Sequence, residues 1–169
     1  MIGTTIRDAT AEDIDGIVEL FNAYIATTTY GYRDVPTTAV EQLEWFEERT
    51  ARGFPTLVAE DGGEVIGYAQ WTAFRGGDQR WSGYRHTVEH SIHVDRRRHR
   101  RGIGRLLMDA LIERARLAGV HVLVAGIDSS NTTSIAFHES LGFAEVARMP
   151  ETGRKFDRWL DVIFMQLLL

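Results

Sequence analysis

Between residues 88 and 108 the sequence VEHSIHVDRRRHRRGIGRLLM changes period twice, and no other stretch narrows the choice of fold as far. Val88, His90, Ile92 and Val94 alternate with Glu89, Ser91 and His93, the two-residue period of a strand. Residues 95–101 then hold five arginines and a histidine with no apolar residue, and Gly102 and Gly104 flank Ile103. From Arg105 the period is helical. Leu106, Leu107, Ala110, Leu111 and Ala115 form one stripe, with Arg105, Asp109, Glu113 and Arg116 off it.

A helix that opens on a glycine pair has its first backbone N–H groups unbonded at the positive end of its dipole, and glycine lets a bulky anion come close. The turn therefore predicts a phosphate or pyrophosphate seat around Arg100, Arg101, Gly102, Ile103, Gly104 and Arg105. Glu89, His90 and His93 put titratable groups beside it, the juxtaposition of an active site. A surface arginine run ahead of an amphipathic helix is the competing reading.

A chain of 169 residues suits one domain over 1–169, long enough to bury roughly 70% of its unfolded surface. Its net charge of -5 argues against general nucleic-acid binding and for a local anion site. The absence of cysteine excludes disulfides, thiolate metal sites and a cysteine nucleophile, and fits a reducing compartment. MIGTTIRDATAED lacks a basic start followed by an apolar run, so no secretory signal is predicted and the cytoplasm is the expected location. WLDVIFMQLLL is interrupted by Asp161 and is shorter than the ~20 residues that cross a bilayer; it predicts a buried strand and no membrane partner.

Along the chain, 5–8 predicts a strand, and 10–24 a helix with Thr10 and Asp13 in a capping-box relation. The polar 26–38 reads as a loop, and 40–52 as a helix with Leu43 and Phe46 toward the core. Strands over 54–60 and 64–72 make a hairpin across Asp61-Gly62-Gly63. Glycines break the period over 74–85 (FRGGDQRWSGYR). Gly119 ends the central helix, and 121–127 (HVLVAGI) predicts a buried strand parallel to the central one. A short helix over 132–141 follows, stopped by Gly142, then strands over 143–149 and 159–168 joined by a connection over 150–158.

The order strand, x-x-Gly-x-Gly, helix, then NTTSIAFHESLGF at 131–143, resembles the GNAT superfamily of N-acetyltransferases. Within it, TVEHSIHV, HVLVAGIDSSNTTSIAFHESLGF and MPETGRKFDRWLDVIFMQLLL resemble the phosphinothricin and methionine sulfoximine acetyltransferase branch, the L-amino acid N-acyltransferases, over nearly the whole chain. The resemblance implies a single-domain α/β acetyltransferase fold: a mixed, twisted, mostly antiparallel sheet with a splayed parallel strand pair and helices on both faces. Acetyl-CoA would be the co-substrate, with no metal. The implied reaction is direct acetyl transfer to the α-amine of a small amino-acid derivative such as methionine sulfoximine, methionine sulfone or phosphinothricin. A homodimer is implied as well.

The resemblance also distributes roles. The main chain of Ile92, His93 and Val94 would meet pantetheine and the thioester carbonyl, the glycine turn the pyrophosphate, and Asn131 would contact acetyl-CoA unless it serves as a helix N-cap. Glu89 would take a proton from the incoming ammonium, or only hold it. His138 stands where many relatives have a tyrosine that protonates the thiolate, and a structural hydrogen bond is its other reading. Glu89, His90 and Ser91 match the substrate-side triplet, and all three line one cavity only if the strand is bulged or open. Arg80, Arg75 and Trp81 are the loop's candidates against the substrate, with Arg85, Lys155 and Arg158 further candidates for its carboxylate. His99 departs from the family's usual glutamine or arginine, and the 74–85 loop departs in length. A protein or peptide N-terminus as acceptor, and an acyl-CoA-binding module without turnover, are the alternatives.

Overall fold

The computed structural model describes residues 3–77 and 80–169. In chain order the elements are β1 (Thr5–Asp8), α1 (Ile14–Thr27), α2 (Ala39–Ala51), β2 (Thr56–Asp61), β3 (Glu64–Ala73), β4 (Thr87–Val94), α3 (Ile103–Leu117), β5 (Val122–Asp128), α4 (Thr132–Ser140), β6 (Ala144–Lys155) and β7 (Arg158–Leu168). Hydrogen bonding orders the strands β1-β2-β3-β4-β5-β7-β6. The β1–β2, β2–β3, β5–β7 and β6–β7 pairs are antiparallel, and β4 and β5 are parallel. This is the mixed α/β sheet that the resemblance implies.

The chain forms two compact units, and β4 passes from one into the other between Glu89 and His90. The first unit takes Met1–Ala23, Thr37–Thr72 and His90–Ala118. Its two N-terminal helices start where side chains satisfy the opening amides. Thr10 and Asp13 form the expected capping box, ahead of a 3-10 turn that leads into α1, and Thr38 and Glu41 form a second at α2. Ile17, Leu20, Val58 and Tyr68 make a buried cluster, with Phe21 and Val65 against it.

Helix α3 buries Ile103, Leu107, Met108, Leu111, Ile112 and Ala115. Leu106, placed in the stripe from the sequence, is 47% exposed. The buried face is made by Ile103, Leu107, Leu111 and Ala115 with Met108 and Ile112 beside them, which leaves Leu106 on its outer side. Leu107 reaches within 3.2 Å of the point a side chain at Gly67 would occupy, and the His93 carbonyl within 3.0 Å. Glycine at 67 is what lets α3 and β4 lie this close to β3.

The second unit takes Tyr24–Pro36, Ala73–Glu89 and Gly119–Leu169. Leu123, Phe143, Leu160, Ile163 and Met165 are buried in it. The sequence expected residues 150–158 to connect the last two strands, but β6 runs on to Lys155 and the turn is Phe156-Asp157, both with positive φ. Pro150 was the misleading signal. On an edge strand its missing N–H is tolerated, and the pairing register shifts between Met149 and Gly153 to absorb the irregularity. β6 in turn holds the loop that follows α1: Lys155 Nζ donates to the Gly31 carbonyl at 2.8 Å, and the Tyr32 ring fills the space a side chain at Gly153 would need. Among the described residues no helix is long and apolar enough to cross a membrane.

Candidate active site

In the first unit, the strand-to-helix turn sorts its arginines. Asp95 accepts from the Arg97 amide at 2.9 Å and from its guanidinium at 2.6 and 2.9 Å, and these bonds, the guanidinium's foremost, hold the Asp95 carboxyl below its ordinary range. Arg97 also reaches Glu64, and Arg98 reaches Asp61 and Glu64, so both are drawn onto the β2–β3 turn. Arg105 clasps Asp109 with both contacts at 2.9 Å. Arg100 and Arg101 are exposed and carry no ion pair among the described residues. Two of the run's five arginines, Arg97 and Arg98, are therefore neutralised, in part by acids on the β2–β3 hairpin that no local window of sequence reveals.

Backbone geometry completes the turn. Arg100 has φ +62° and Gly102 φ +81°, so two left-handed residues bracket Arg101 immediately before α3. No side chain caps the helix, and Leu106 N is the first amide to bond back, to Gly102 O at 3.0 Å. The amides of Ile103 and Gly104 thus stand at the helix's positive end beside Arg100 and Arg101, an arrangement able to hold an anion. His99 Nε2 lies 3.0 Å from the Val94 carbonyl and ties the turn to the end of β4.

The part of β4 in this unit divides by face. His93 stacks on Tyr68 with centroids 5.0 Å apart and meets the Phe21 edge at 5.4 Å; burial takes its pKa down to about 4, so the ring is neutral. Its side chain is a packing group, and the main chain is what it can offer a cofactor. Ser91 Oγ accepts from Gln70 Nε2 at 3.2 Å. His90 is buried on the other face, with Val88. Ser91 is only part-buried, so burial alternates between these neighbouring residues as it does along a regular strand.

In the second unit, Glu89 finds room because position 126 is glycine. Its Oε1 lies 3.1 Å from where a Gly126 Cβ would stand, and Phe164 and Val162 come within 3.6 and 3.8 Å of the same point. Burial raises the Glu89 pKa, the direction needed to bring a carboxylate toward neutrality as a proton acceptor. Sequence reasoning missed Gly126, which carries no motif and matters only through a partner on another strand.

Asn131 caps α4, accepting from Ser134 N at 3.1 Å. His138, 2% exposed, donates from Nδ1 to the Ser134 carbonyl at 2.7 Å and packs edge-on against Phe137 and Phe143. Burial lowers its pKa, partly offset by that bond. The ring is then a neutral imidazole with Nδ1 holding its proton and Nε2 in the basic form.

Arg75, at φ +51°, places its guanidinium 5.7 Å over the Tyr84 ring, while Arg80 and Trp81 are exposed in the same loop. Arg85 donates to Ser82 O. Lys155 is buried on the Gly31 carbonyl, which removes it from the carboxylate candidates in this chain. No group of three or more acidic or histidine side chains is poised for a metal among the described residues.

Residues 17–143 match the model of the Acetyltransferase (GNAT) family. The chain is 44% identical over 170 residues to the L-methionine sulfoximine/L-methionine sulfone acetyltransferase of Pseudomonas paraeruginosa, covering 99% of this chain and 96% of that one. It resembles the crystal structure of a GNAT superfamily phosphinothricin acetyltransferase from Sinorhizobium meliloti in complex with AcCoA, with TM-score 0.92, 37% identity and coverage of 100% and 89%. It also resembles the crystal structure of a ribosomal-protein-alanine N-acetyltransferase from Brucella melitensis, with TM-score 0.93, 41% identity and coverage of 98% and 99%.

Proposed function

The chain belongs to the acetyltransferase (GNAT) family and is an acetyl-CoA-dependent N-acetyltransferase; from that premise we propose that it acetylates the α-amine of a small amino-acid derivative of the methionine sulfoximine, methionine sulfone or phosphinothricin type. The observation that carries the site is Glu89, a half-buried carboxylate of raised pKa on the strand that runs into the anion turn. Arg100, Arg101 and the amides of Gly102, Ile103 and Gly104 hold the pyrophosphate, and the main chain at 92–94 meets the pantetheine and thioester.

Glu89 takes one proton from the α-ammonium. The freed nitrogen pair attacks the thioester carbonyl carbon, a C–N bond forms, and its oxygen carries the negative charge. Collapse breaks the C–S bond. The second nitrogen proton, acid once that nitrogen is bonded to carbon, leaves with the thiolate as CoA-SH. His138 is not its source in this scheme, because a neutral imidazole whose Nδ1 proton is given to Ser134 has none to deliver; it orders α4 and offers a base at Nε2. Arg75 or Arg80, beside Trp81, receives the acceptor carboxylate.

The reading takes residues 1–169 as one catalytic domain. A cysteine-free chain fits the reducing cytoplasm as its location. A homodimer is part of the reading, supported by β6, exposed along nearly all of its twelve residues.

Free-thiol release tests the function. The purified protein is given acetyl-CoA with methionine sulfone, methionine sulfoximine, phosphinothricin, ordinary amino acids and an alanyl peptide. Turnover is expected on the first three. The Brucella melitensis likeness favours a protein N-terminus as second reading, and acetylation of the peptide alone would establish it. An absence of thiol release with every acceptor would leave only an acyl-CoA-binding module.

A further inference from the structure

Two residues beyond Gly126, on the same side of β5, stands Asp128, 3% exposed. Its Oδ1 accepts from Ser130 N at 2.7 Å and from Ser130 Oγ at 2.6 Å, an Asx turn that leads the chain into α4. Oδ2 is also buried, and no donor among the described residues reaches it in hydrogen-bond geometry. Burial opposes ionisation here, yet the Ser130 bonds, the nearby Thr29 hydroxyl and the charge of Arg158 keep the carboxyl below its ordinary range. A buried, ionised oxygen without a donor is strongly unfavourable, and each such atom calls for a partner.

The surroundings say what kind of partner. Val162, the register neighbour of Asp128, lies 3.8 Å from the vacant Cβ point of Gly126, and Glu89 Oε1 lies 3.1 Å from the same point. The gap over Gly126 therefore has Glu89 against it and Asp128 one strand repeat further along. The loop after α1 closes on the same group: Tyr32, pushed up to about 12 by burial and by the charges of Asp128 and Asp161, stays protonated and contributes no positive charge. Arg158 also lays its charge on Asp128, but the buried Oδ2 is left without a donor among the described residues, and an oxygen of that kind suits a cation that carries several N–H groups.

Resting on the acetyltransferase reading above, we propose that Asp128 Oδ2 receives the acceptor's α-ammonium, seating it along β5 so that Glu89 removes a proton from a nitrogen already held in place. No sequence motif marks Asp128, a polar residue between a strand and a helix. Glu89 alone would have to hold the ammonium and take its proton with the same carboxylate. A second acceptor fixes the direction in which the nitrogen lone pair emerges, and discriminates an α-amino acid from its deaminated counterpart.

The test compares two ligands in two proteins. Asp128→Asn keeps an oxygen for Ser130 and exchanges Oδ2 for an amide that repels an ammonium. With methionine sulfone varied at saturating acetyl-CoA, the variant should show an acceptor KM raised about ten- to a hundredfold, the loss of a charge-assisted hydrogen bond, with the acetyl-CoA KM within about twofold. The deaminated analogue, 4-(methylsulfonyl)butanoate, has no ammonium to lose, so its inhibition constant should be the same in both proteins. Equal weakening of both ligands, or an unchanged acceptor KM, would overturn the proposal by showing a structural Asp128 or one satisfied by water. Should Asp128→Asn fail to fold by circular dichroism, Asp128→Ser retains an acceptor for the Ser130 amide and is read in the same way. Wild-type protein that turns over no amino-acid acceptor would instead overturn the functional reading, and this inference with it.

Discussion

Glu89 is a side chain the fold would be steadier without. Burial raises its pKa above the ordinary 4.5, so the folded state holds its proton at pH values where the unfolded chain has released it. Stability from this group is therefore greatest below the unfolded value and is lost as pH rises through the raised folded one, while activity as a base grows over the same window. Glu89→Gln should raise the melting temperature near neutral pH and lower kcat by about 10²- to 10⁴-fold, the range of general-base contributions. Thermal melts and thiol release across that window check both, and equal activity of the variant at all pH values would remove Glu89 from the role. Gly126→Ala tests the room Glu89 occupies. The added methyl would sit 3.1 Å from Oε1 at a backbone position without positive φ, so the flexible carboxylate moves and the strand does not. Turnover should fall at least severalfold, with a melting temperature within about 2 °C of wild type, since no core packing is lost. Glu89 was legible in the sequence because strand and turn are contiguous there. Gly126 and Asp128 were not, because their meaning lies in what faces them across the fold.

At the level of elements, the anion turn stores strain where it gathers charge. Arg100 adopts φ +62°, a conformation that costs a non-glycine residue about 1 kcal/mol. Arg100→Gly should therefore raise the melting temperature while raising the KM for acetyl-CoA; a variant that gained stability with an unchanged KM would show the guanidinium idle. Asn131 separates cap from contact. Asn131→Ala should remove about 1 kcal/mol of stability through loss of the bond from Ser134 N, and Asn131→Asp should restore it. If the amide also meets acetyl-CoA, the aspartate variant recovers its melting temperature but not its KM. Element-by-element reading succeeded where local chemistry decides: the capping box at Thr10, the Asp61-Gly62-Gly63 turn and the Gly119 stop all appear. It failed where position in the sheet decides. Pro150 reads as a breaker in any window of sequence, and only the edge location of β6 makes it tolerable. The pairing inside the basic run was hidden for the same reason, because Asp61 and Glu64 neutralise Arg97 and Arg98 from another hairpin.

For the molecule as a whole, the unpaired side of β6 is where the proposed homodimer can be tested. An edge strand of twelve residues presents its outer row of main-chain donors and acceptors to any chain that approaches, and proteins protect such edges with charge, bulges or a partner. β6 has the register shift between Met149 and Gly153, and Arg148 and Arg154 pair with Glu145 and Asp157 along its length. Yet Val146 is 51% exposed, and Trp159, at the start of β7, is 61% exposed. Apolar groups this open beside a long edge fit a surface that a second copy covers better than one left to water. Sedimentation of the purified protein at micromolar concentration should accordingly give about twice the 19.1 kDa chain mass. Val146→Glu, which places a charge on that strand without touching the core, should shift the mass to that of one chain while leaving the far-ultraviolet circular dichroism unchanged. Wild type that sediments as a single chain over the whole micromolar range would overturn the dimer, and the bulge and the two arginine pairs would then be the protection that the edge relies on.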